Sequence, residues 1–152
     1  MTIVDRVFTR LGASDRILEG KSTFFIEMEE TVNILKQASK NSMVIVDELG
    51  RGTSTFDGYS IANAVLKHLV KRVKCLTLFS THYHMLLNDF RNTKKVAFYH
   101  MACKQEGNHR VTFLYKFIKG ECPQSFGLNV AKMSGLPDEV IKNADTRARL
   151  FE

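Results

Sequence analysis

The sequence contains no tryptophan, only two prolines and only three cysteines among its 152 residues. Cys75, Cys103 and Cys122 are odd in number and far apart, which fits a reducing compartment better than a disulfide framework. No apolar run approaches the roughly 20 residues that cross a bilayer, so no membrane association is expected. The first six residues resemble neither a signal peptide nor a transit peptide.

The composition is that of an ordinary globular protein. Apolar residues make up 44% and charged residues 25%, which excludes a disordered tail, a collagen-like chain and a disulfide miniprotein. The length suits one domain or part of one. The 22 basic and 16 acidic residues give a net charge of +6, which permits a nucleic-acid partner without requiring one.

Two short apolar runs predict neighbouring strands of a parallel sheet. Met43–Val46 ends abruptly at Asp47-Glu48, and Leu76–Phe79 ends at Ser80-Thr81-His82. Continuous apolar runs of this kind are typical of strands buried on both faces. A glycine-rich loop, residues 50–54, and an apolar stripe at helical spacing over residues 61–70 lie between them. The order strand, helix, strand predicts a βαβ unit.

Further elements are predicted on either side of this unit. A helix is expected after Ser22-Thr23, which can cap it. Residues 95–103 and 111–118 predict a β-hairpin with its turn at Glu106-Gly107-Asn108. Two short helices are expected at residues 125–133 and from Pro137 onward.

The apolar run that ends in Asp47-Glu48 has the pattern of a Walker B strand. A carboxylate at the tip of the strand can hold Mg²⁺, which prefers hard oxygen ligands. The next carboxylate can lie beside a γ-phosphate and act as general base on a water molecule, an effect typically worth ~10²–10⁴ in rate. Asp47 is therefore the candidate Mg²⁺ ligand and Glu48 the candidate base. The alternative is a strand that ends in a solvated acidic turn.

His82 follows the next predicted strand. Ligands of open α/β sheets bind at the carboxyl ends of the strands, so we expect His82 and Glu48 at the same edge. A histidine there can donate to a phosphate oxygen and respond to the state of the nucleotide. The alternative is a surface histidine beside Tyr83 and His84.

Gly20-Lys21-Ser22-Thr23 looks like the end of a phosphate-binding P-loop. The full motif needs a glycine five positions before Gly20, where this chain has Asp15. No buried strand leads into the segment, so we reject a P-loop here. What remains is a Ser-Thr pair that opens a helix, whose backbone N–H groups are available to an anion.

Two further alternatives are weaker. Lysines and an arginine near the end of the second helix are interpreted as a solvated face that suits the helix dipole: Lys67, Lys71, Arg72 and Lys74. The scattered histidines and cysteines lack the paired spacings of a zinc site; they are His82, His84, His100, Cys103, His109 and Cys122.

The ordered set of motifs resembles the MutS family of DNA mismatch-repair proteins. Its most specific stretch is Asp47–Gly58, the Walker B carboxylates with their glycine loop. Asp5–Ala13 resembles the segment before the family's signature loop, and Ser22–Met28 resembles the signature loop and its helix. Thr77–Tyr83 resembles the switch-histidine strand. The C-terminal dimerisation helices are resembled by Gln124–Gly127 and Gly135–Phe151. Leu114–Gly120 with Cys122-Pro123 is similar to the mismatch-recognising subunit of the eukaryotic MutS-alpha heterodimer.

The resemblance implies an α/β fold, namely an ABC-type nucleotide-binding domain of the P-loop superfamily with a C-terminal helix-turn-helix dimerisation element. In such dimers ATP lies between two subunits. Asp47 would hold Mg²⁺, while Glu48 and His82 would be catalytic. The signature residues Ser22 and Thr23 would contact the partner's γ-phosphate in trans, and Asp57 would belong to a loop that crosses the interface.

The resemblance also implies partners and a location. The expected partners are a second MutS-type subunit, mismatched double-stranded DNA contacted through domains that this chain lacks, and MutL-type downstream proteins. The expected location is the nucleus. Residues 1–120 would form the distal part of the ATPase domain and residues 121–152 the helical dimerisation element.

The family's P-loop is expected upstream of Thr2, together with the first sheet strand. We therefore expect the isolated chain neither to bind nor to hydrolyse ATP appreciably, and to leave apolar surface exposed. Two alternatives stay open at this point. One is an interaction module without a P-loop that pairs with a MutS-type partner through its terminal helices. The other is a different ABC-class ATPase acting on chromosomes, which Asp47–Gly58 argues against.

Overall fold

The computed structural model describes residues 3–12, 22–106 and 110–150. The chain divides into two compact units, residues 1–96 and residues 97–152. Both helices and strands are present, so the mixed α/β class predicted from the sequence is confirmed. The predicted division after residue 120 is a functional one and stays a prediction.

The first unit contains a parallel three-stranded sheet. Its strands are β1 (Val7–Arg10), β2 (Met43–Asp47) and β3 (Leu76–Ser80), in the order β1-β2-β3. The register pairs β1 with β2 and β2 with β3 in parallel. The central strand β2 is apolar because its side chains are covered on both faces, and Val44 is fully buried.

Helices connect and flank these strands. Helix α1 (Thr23–Gln37) lies between β1 and β2, and α2 (Thr55–His68) lies between β2 and β3. A π-helical turn, Leu69–Val73, extends α2, and the short helix α3 (Met85–Phe90) follows β3. The predicted strand, helix, strand order around the glycine loop is thus confirmed, with β2 and β3 parallel.

The core of this unit forms where α1 and α2 pack on β2. Its buried members are Ile34, Val44, Val46, Leu49, Val65 and Leu69. The stripe predicted over residues 61–70 supplies two of them, Val65 and Leu69. The spacing predicts one face of α1 at Phe24, Met28, Thr31, Leu35 and Ala38. Thr31 is buried as predicted, but the other fully buried residues of α1 are Ile26, Glu27 and Ile34.

Two strands differ from the prediction. Val7–Arg10 pairs with β2 although its mixed apolar and basic composition does not predict a strand. β3 was predicted to be buried on both faces, which is wrong: Leu76 is 54% exposed and Leu78 is 47% exposed. The reason is its position, since β3 pairs with β2 on one side and is an edge strand of the described sheet.

The second unit holds the predicted hairpin and the two predicted helices. Strands β4 (Tyr99–Glu106) and β5 (Arg110–Lys119) pair antiparallel, with an irregularity between Met101 and Cys103. The predicted turn residues Gly107 and Asn108 lie outside the described part of the chain. Helices α4 (Gly127–Met133) and α5 (Asp138–Ala148) follow, and a 3.2 Å ion pair between Lys132 and Asp138 joins them.

Candidate functional site

The carboxyl ends of β2 and β3 meet at one edge of the sheet, as the sequence predicted. Asp47 is directly opposite Ser80 in the register. The Ser80 hydroxyl donates a hydrogen bond to Oδ1 of Asp47. The Asp47 side chain is exposed at this edge, so its other oxygen faces solvent-accessible space. The pair therefore places a carboxylate and a hydroxyl, both hard oxygen donors, side by side.

Glu48 follows in a conformation that is unusual for a residue with a side chain. Its φ of 49° lies in the left-handed region, which costs an L-residue roughly 1–2 kcal/mol. Its backbone N–H reaches the Ser80 carbonyl oxygen at 3.2 Å and the Ser80 hydroxyl at 3.3 Å. Its Oε2 accepts from Nη1 of Arg51 at 2.6 Å, and Arg51 is exposed. The strand thus ends in a sharp turn, and the Glu48 carboxylate is paired with the Arg51 guanidinium just beyond it.

His82 and Tyr83 lie just beyond the end of β3. The His82 side chain is exposed, and its ring centroid is 4.1 Å from that of Tyr83. Tyr83 is buried and donates its hydroxyl to the Gly50 carbonyl oxygen at 2.9 Å. Burial raises the pKa of the Tyr83 hydroxyl, and the negative charge of Glu27 raises that pKa further. His82 therefore has one open face and one face supported by a fixed aromatic ring.

Ser22 and Thr23 open α1, as predicted. The Ser22 hydroxyl accepts the Phe25 backbone N–H at 3.2 Å, which makes Ser22 the N-cap. The glycine loop lies against this first turn, since a methyl group placed on Gly52 would be 3.2 Å from Cβ of Phe24. The start of α1 is therefore adjacent to the loop that follows the Asp47-Glu48 pair. Asp15, Gly20 and Lys21 lie outside the described residues, and so does His109.

Asp57 lies in the first turn of α2, and its side chain is exposed. Ser54 caps the helix: its hydroxyl accepts the Asp57 backbone N–H at 3.2 Å and donates to Oδ2 of Asp57 at 2.8 Å. This reciprocal pair fixes the end of the glycine loop and the orientation of the Asp57 carboxylate.

A buried ion pair that the sequence did not predict lies close to the glycine loop. Nη2 of Arg10, at the end of β1, lies 2.9 Å from Oε1 of Glu27, and the two side chains are only 5% and 3% exposed. The same Glu27 oxygen accepts the Gly50 backbone N–H at 3.0 Å. An acidic residue near the start of a helix is readily explained by the helix dipole, so the pattern carried no sign that Glu27 would be buried.

The described residues hold no group of three or more histidine, cysteine, aspartate or glutamate side chains suited to a metal ion. Cys75, Cys103 and Cys122 are free thiols and half-buried. In the described part of the chain no helix is both long and apolar enough to cross a membrane. The chemically distinctive feature is thus the acidic carboxyl edge of the parallel sheet, where α/β proteins bind ligands.

This architecture is that of an α/β protein with polar and acidic side chains at the carboxyl edge of its parallel sheet, and the comparisons with known proteins specify its family. The family model of MutS domain V matches residues 1–152. The chain therefore belongs to the MutS domain V family, which confirms the resemblance seen in the motifs.

Curated relatives agree with this assignment. The chain is 56% identical over 158 residues to the DNA mismatch repair protein Msh6 of Homo sapiens, covering 100% of the chain and 12% of that protein. It is 48% identical over 161 residues to MSH7 of Arabidopsis thaliana, covering 100% of the chain and 14% of the relative. It is 47% identical over 152 residues to MutS of Methanosarcina mazei, covering 99% of the chain and 17% of the relative. The chain spans a small part of the length of these relatives.

Proposed function

We propose that this chain is the distal part of the ATPase domain of a MutS-type DNA mismatch-repair protein. In that protein, ATP binding and hydrolysis at a dimer interface are coupled to binding of mismatched DNA. The observation that carries the proposal is the Asp47–Ser80 pair at the carboxyl edge of the sheet, with Glu48 directly after it. The family assignment supports it, because relatives in the family are DNA mismatch repair proteins by name.

The residues at this edge fit a magnesium ion. Mg²⁺ is usually held through one or two carboxylates together with water and substrate phosphates. The exposed Asp47 carboxylate and the neighbouring Ser80 hydroxyl offer donors of this kind. When bound, Mg²⁺ would neutralise charge on the phosphates of ATP. The hydrogen bond from Ser80 orients the Asp47 carboxylate for this role.

The other side chains have complementary roles in the proposal. Glu48 is the general base that takes a proton from the attacking water, and it lies at the sharp turn that ends β2. His82, supported by the Tyr83 ring, donates to a phosphate oxygen. Ser22 and Thr23, at the N-terminus of α1, bind the γ-phosphate of the partner's ATP, since a helix N-terminus favours anions. Asp57 belongs to the segment that crosses the dimer interface.

In this reading the fold is a partial ABC-type nucleotide-binding domain of the P-loop superfamily with a helix-turn-helix dimerisation element at its end. The exposed apolar side chains of β1 and β3 support it, because they are suited to further elements of a larger sheet. The partners are a second MutS-type subunit, mismatched DNA through other domains, and MutL-type proteins, in the nucleus.

The decisive experiment replaces Glu48 by glutamine in the full-length protein that carries this sequence, assembled with its MutS-type partner. We expect ATP binding to persist and hydrolysis at this site to fall by roughly 10²-fold or more, since the general base is lost. Ser80→Ala is the matched comparison at the same edge, because it removes a hydroxyl beside Asp47 and leaves the base in place. Unchanged hydrolysis in Glu48→Gln would remove Glu48 as the base.

One observation favours the alternative of an interaction module without its own ATPase activity. Apolar side chains on and between α4 and α5 are 40–51% exposed, which suits pairing with another subunit: Val130, Met133, Leu136 and Val140. The chain should then be retained on an immobilised MutS-type subunit. The Met133→Glu variant of the chain should no longer be retained. The exposed Lys142→Glu is the control, and no retention of the wild-type chain would exclude the module.

A further inference from the structure

Glu27 is a buried carboxylate that the proposed mechanism does not use. One of its oxygens accepts two hydrogen-bonding groups at once, Nη2 of Arg10 at 2.9 Å and the backbone N–H of Gly50 at 3.0 Å. The side chain is 3% exposed, so these charge-assisted contacts are made away from water, where they are strong. Glu27 therefore fixes the position of the Gly50 peptide relative to α1.

The same peptide is held from its other side. The Gly50 carbonyl oxygen accepts the Tyr83 hydroxyl at 2.9 Å, and the Tyr83 ring supports His82. The glycine loop also contacts the first turn of α1, at Gly52 and Phe24. The Gly50 peptide, two residues after Glu48, is thus held by hydrogen bonds to α1 on one side and from Tyr83, just beyond β3, on the other.

We propose that Glu27 is a positioning residue that couples the two ATP sites of the dimer. This rests on the proposed function, in which Glu48 acts on the nucleotide of its own subunit and Ser22 acts on that of the partner. Ser22 begins the helix that carries Glu27, and Glu48 lies two residues before the Gly50 peptide that Glu27 binds. A displacement of either end is transmitted to the other through this hydrogen bond.

The test compares two double variants in the full-length protein assembled with its partner. Arg10→Met with Glu27→Gln, and Arg10→Met with Glu27→Met, both remove the buried ion pair, so neither leaves an unpaired buried charge. Only the glutamine variant keeps an acceptor for the Gly50 N–H. The two proteins have nearly equal side-chain volume and differ in the carbonyl acceptor for Gly50, together with the N–H₂ group that the glutamine also carries.

Turnover is measured separately at each site. The chain's own site is measured with the partner's catalytic base disabled, and the partner's site is measured with Glu48→Gln added. We expect kcat at both sites to be roughly tenfold or more lower in the methionine variant than in the glutamine variant, because small displacements of reacting groups cost rate steeply. The Kd for ATP should change far less.

Thr31→Val is the control for simple destabilisation. Thr31 is buried on the same helix, and its hydroxyl donates to the backbone carbonyl oxygen of Glu27 at 2.8 Å. That hydrogen bond does not involve Gly50. We expect it to leave both kcat values near wild type. Equal turnover in the two double variants, a loss confined to one site, or an equal loss in Thr31→Val would each overturn the coupling role. A wild-type dimer without ATPase activity would instead remove the proposed function itself.

Discussion

Gly50 and Gly58 pack backbone against backbone. Gly50 has a φ of 92°, and a Cβ placed on it would lie 2.7 Å from Cα of Gly58. A methyl group on Gly58 would overlap both the Gly50 carbonyl oxygen and the Tyr83 hydroxyl oxygen. The glycine loop and the first turn of α2 can approach this closely only because neither position carries a side chain.

Gly58→Ala should therefore destabilise the protein by about 1–3 kcal/mol, the usual range for overpacking a tight site. Thermal or urea unfolding measures the change. Gly12→Ala is the matched control, because a methyl group at Gly12 would meet no atom within 4 Å. Equal losses in the two variants would mean that the Gly50–Gly58 contact does not constrain the fold.

Tyr83→Phe should cost about 0.5–1.5 kcal/mol near neutral pH, since it removes the hydroxyl that binds the Gly50 carbonyl oxygen. Tyr115→Phe, at a tyrosine that is 84% exposed, is the control and should be neutral.

The same variant has a signature at high pH. The pKa of Tyr83 is raised in the folded state by burial and by the charge of Glu27. The stability that this shift contributes is present below about pH 10, the pKa of an unfolded tyrosine, and is lost as pH rises through the folded pKa. The urea concentration at the midpoint of unfolding should thus fall less steeply with pH above pH 10 in Tyr83→Phe than in the wild type. Identical slopes would contradict the assignment.

Asp5→Asn should weaken the acid dependence of stability. Hydrogen bonds from the Ser39 and Ser42 hydroxyls lower the pKa of the Asp5 carboxyl. A lowered folded pKa contributes stability above about pH 3.9, the unfolded value, and that contribution disappears as pH falls through the folded pKa. Urea midpoints between pH 2 and pH 6 should be flatter in the variant, and an unchanged profile would exclude this contribution.

Substitutions of Ser22 separate its capping role from the proposed role in trans. Ser22→Ala removes the N-cap of α1 and should cost about 1 kcal/mol of stability, whereas Ser22→Gly should cost only a few tenths. If the hydroxyl serves the partner's site, both variants slow hydrolysis there and leave the chain's own ATP binding intact. Normal hydrolysis at the partner's site in Ser22→Gly would show that the backbone at the start of α1, and not the Ser22 hydroxyl, serves that site.

The chain of 152 residues alone should bind Mg-ATP poorly, because it carries no glycine-rich P-loop motif to supply a phosphate-binding lysine and backbone amides. Isothermal titration with Mg-ATP measures this directly. The Glu48→Gln chain is the parallel sample, and we expect both titrations to be nearly flat. Low-micromolar affinity in either would contradict the expectation.

Much of the fold was predictable because its signals are local. The apolar run of β2, the stripe of α2 and the two strands of the hairpin each follow from residues close together in the sequence. β1 was not predicted, since its pairing with β2 is a long-range contact that four residues of mixed composition do not encode. The exposure of Leu76 and Leu78 was mispredicted, because composition does not show which strand lies at an edge.

In the candidate site, Asp47, Glu48 and His82 were predicted at one edge because the carboxyl ends of parallel strands meet there. The observed parallel register of β2 and β3 agrees with that rule. The Arg10–Glu27 pair could not be predicted in the same way. Its partners belong to two different elements, β1 and α1, and charged side chains are by default assigned to solvent. Only the packing of α1 against β1 brings them together.

The left-handed backbone of Glu48 shows where the demands of folding and of chemistry diverge. Glycine, or to a lesser degree asparagine, would adopt this φ with less strain than glutamate does. A sequence chosen for stability alone would therefore carry a different residue at position 48. If Glu48 is the base of the proposed function, the glutamate marks a trade-off between stability and activity that is confined to a single residue and recognisable from one dihedral angle.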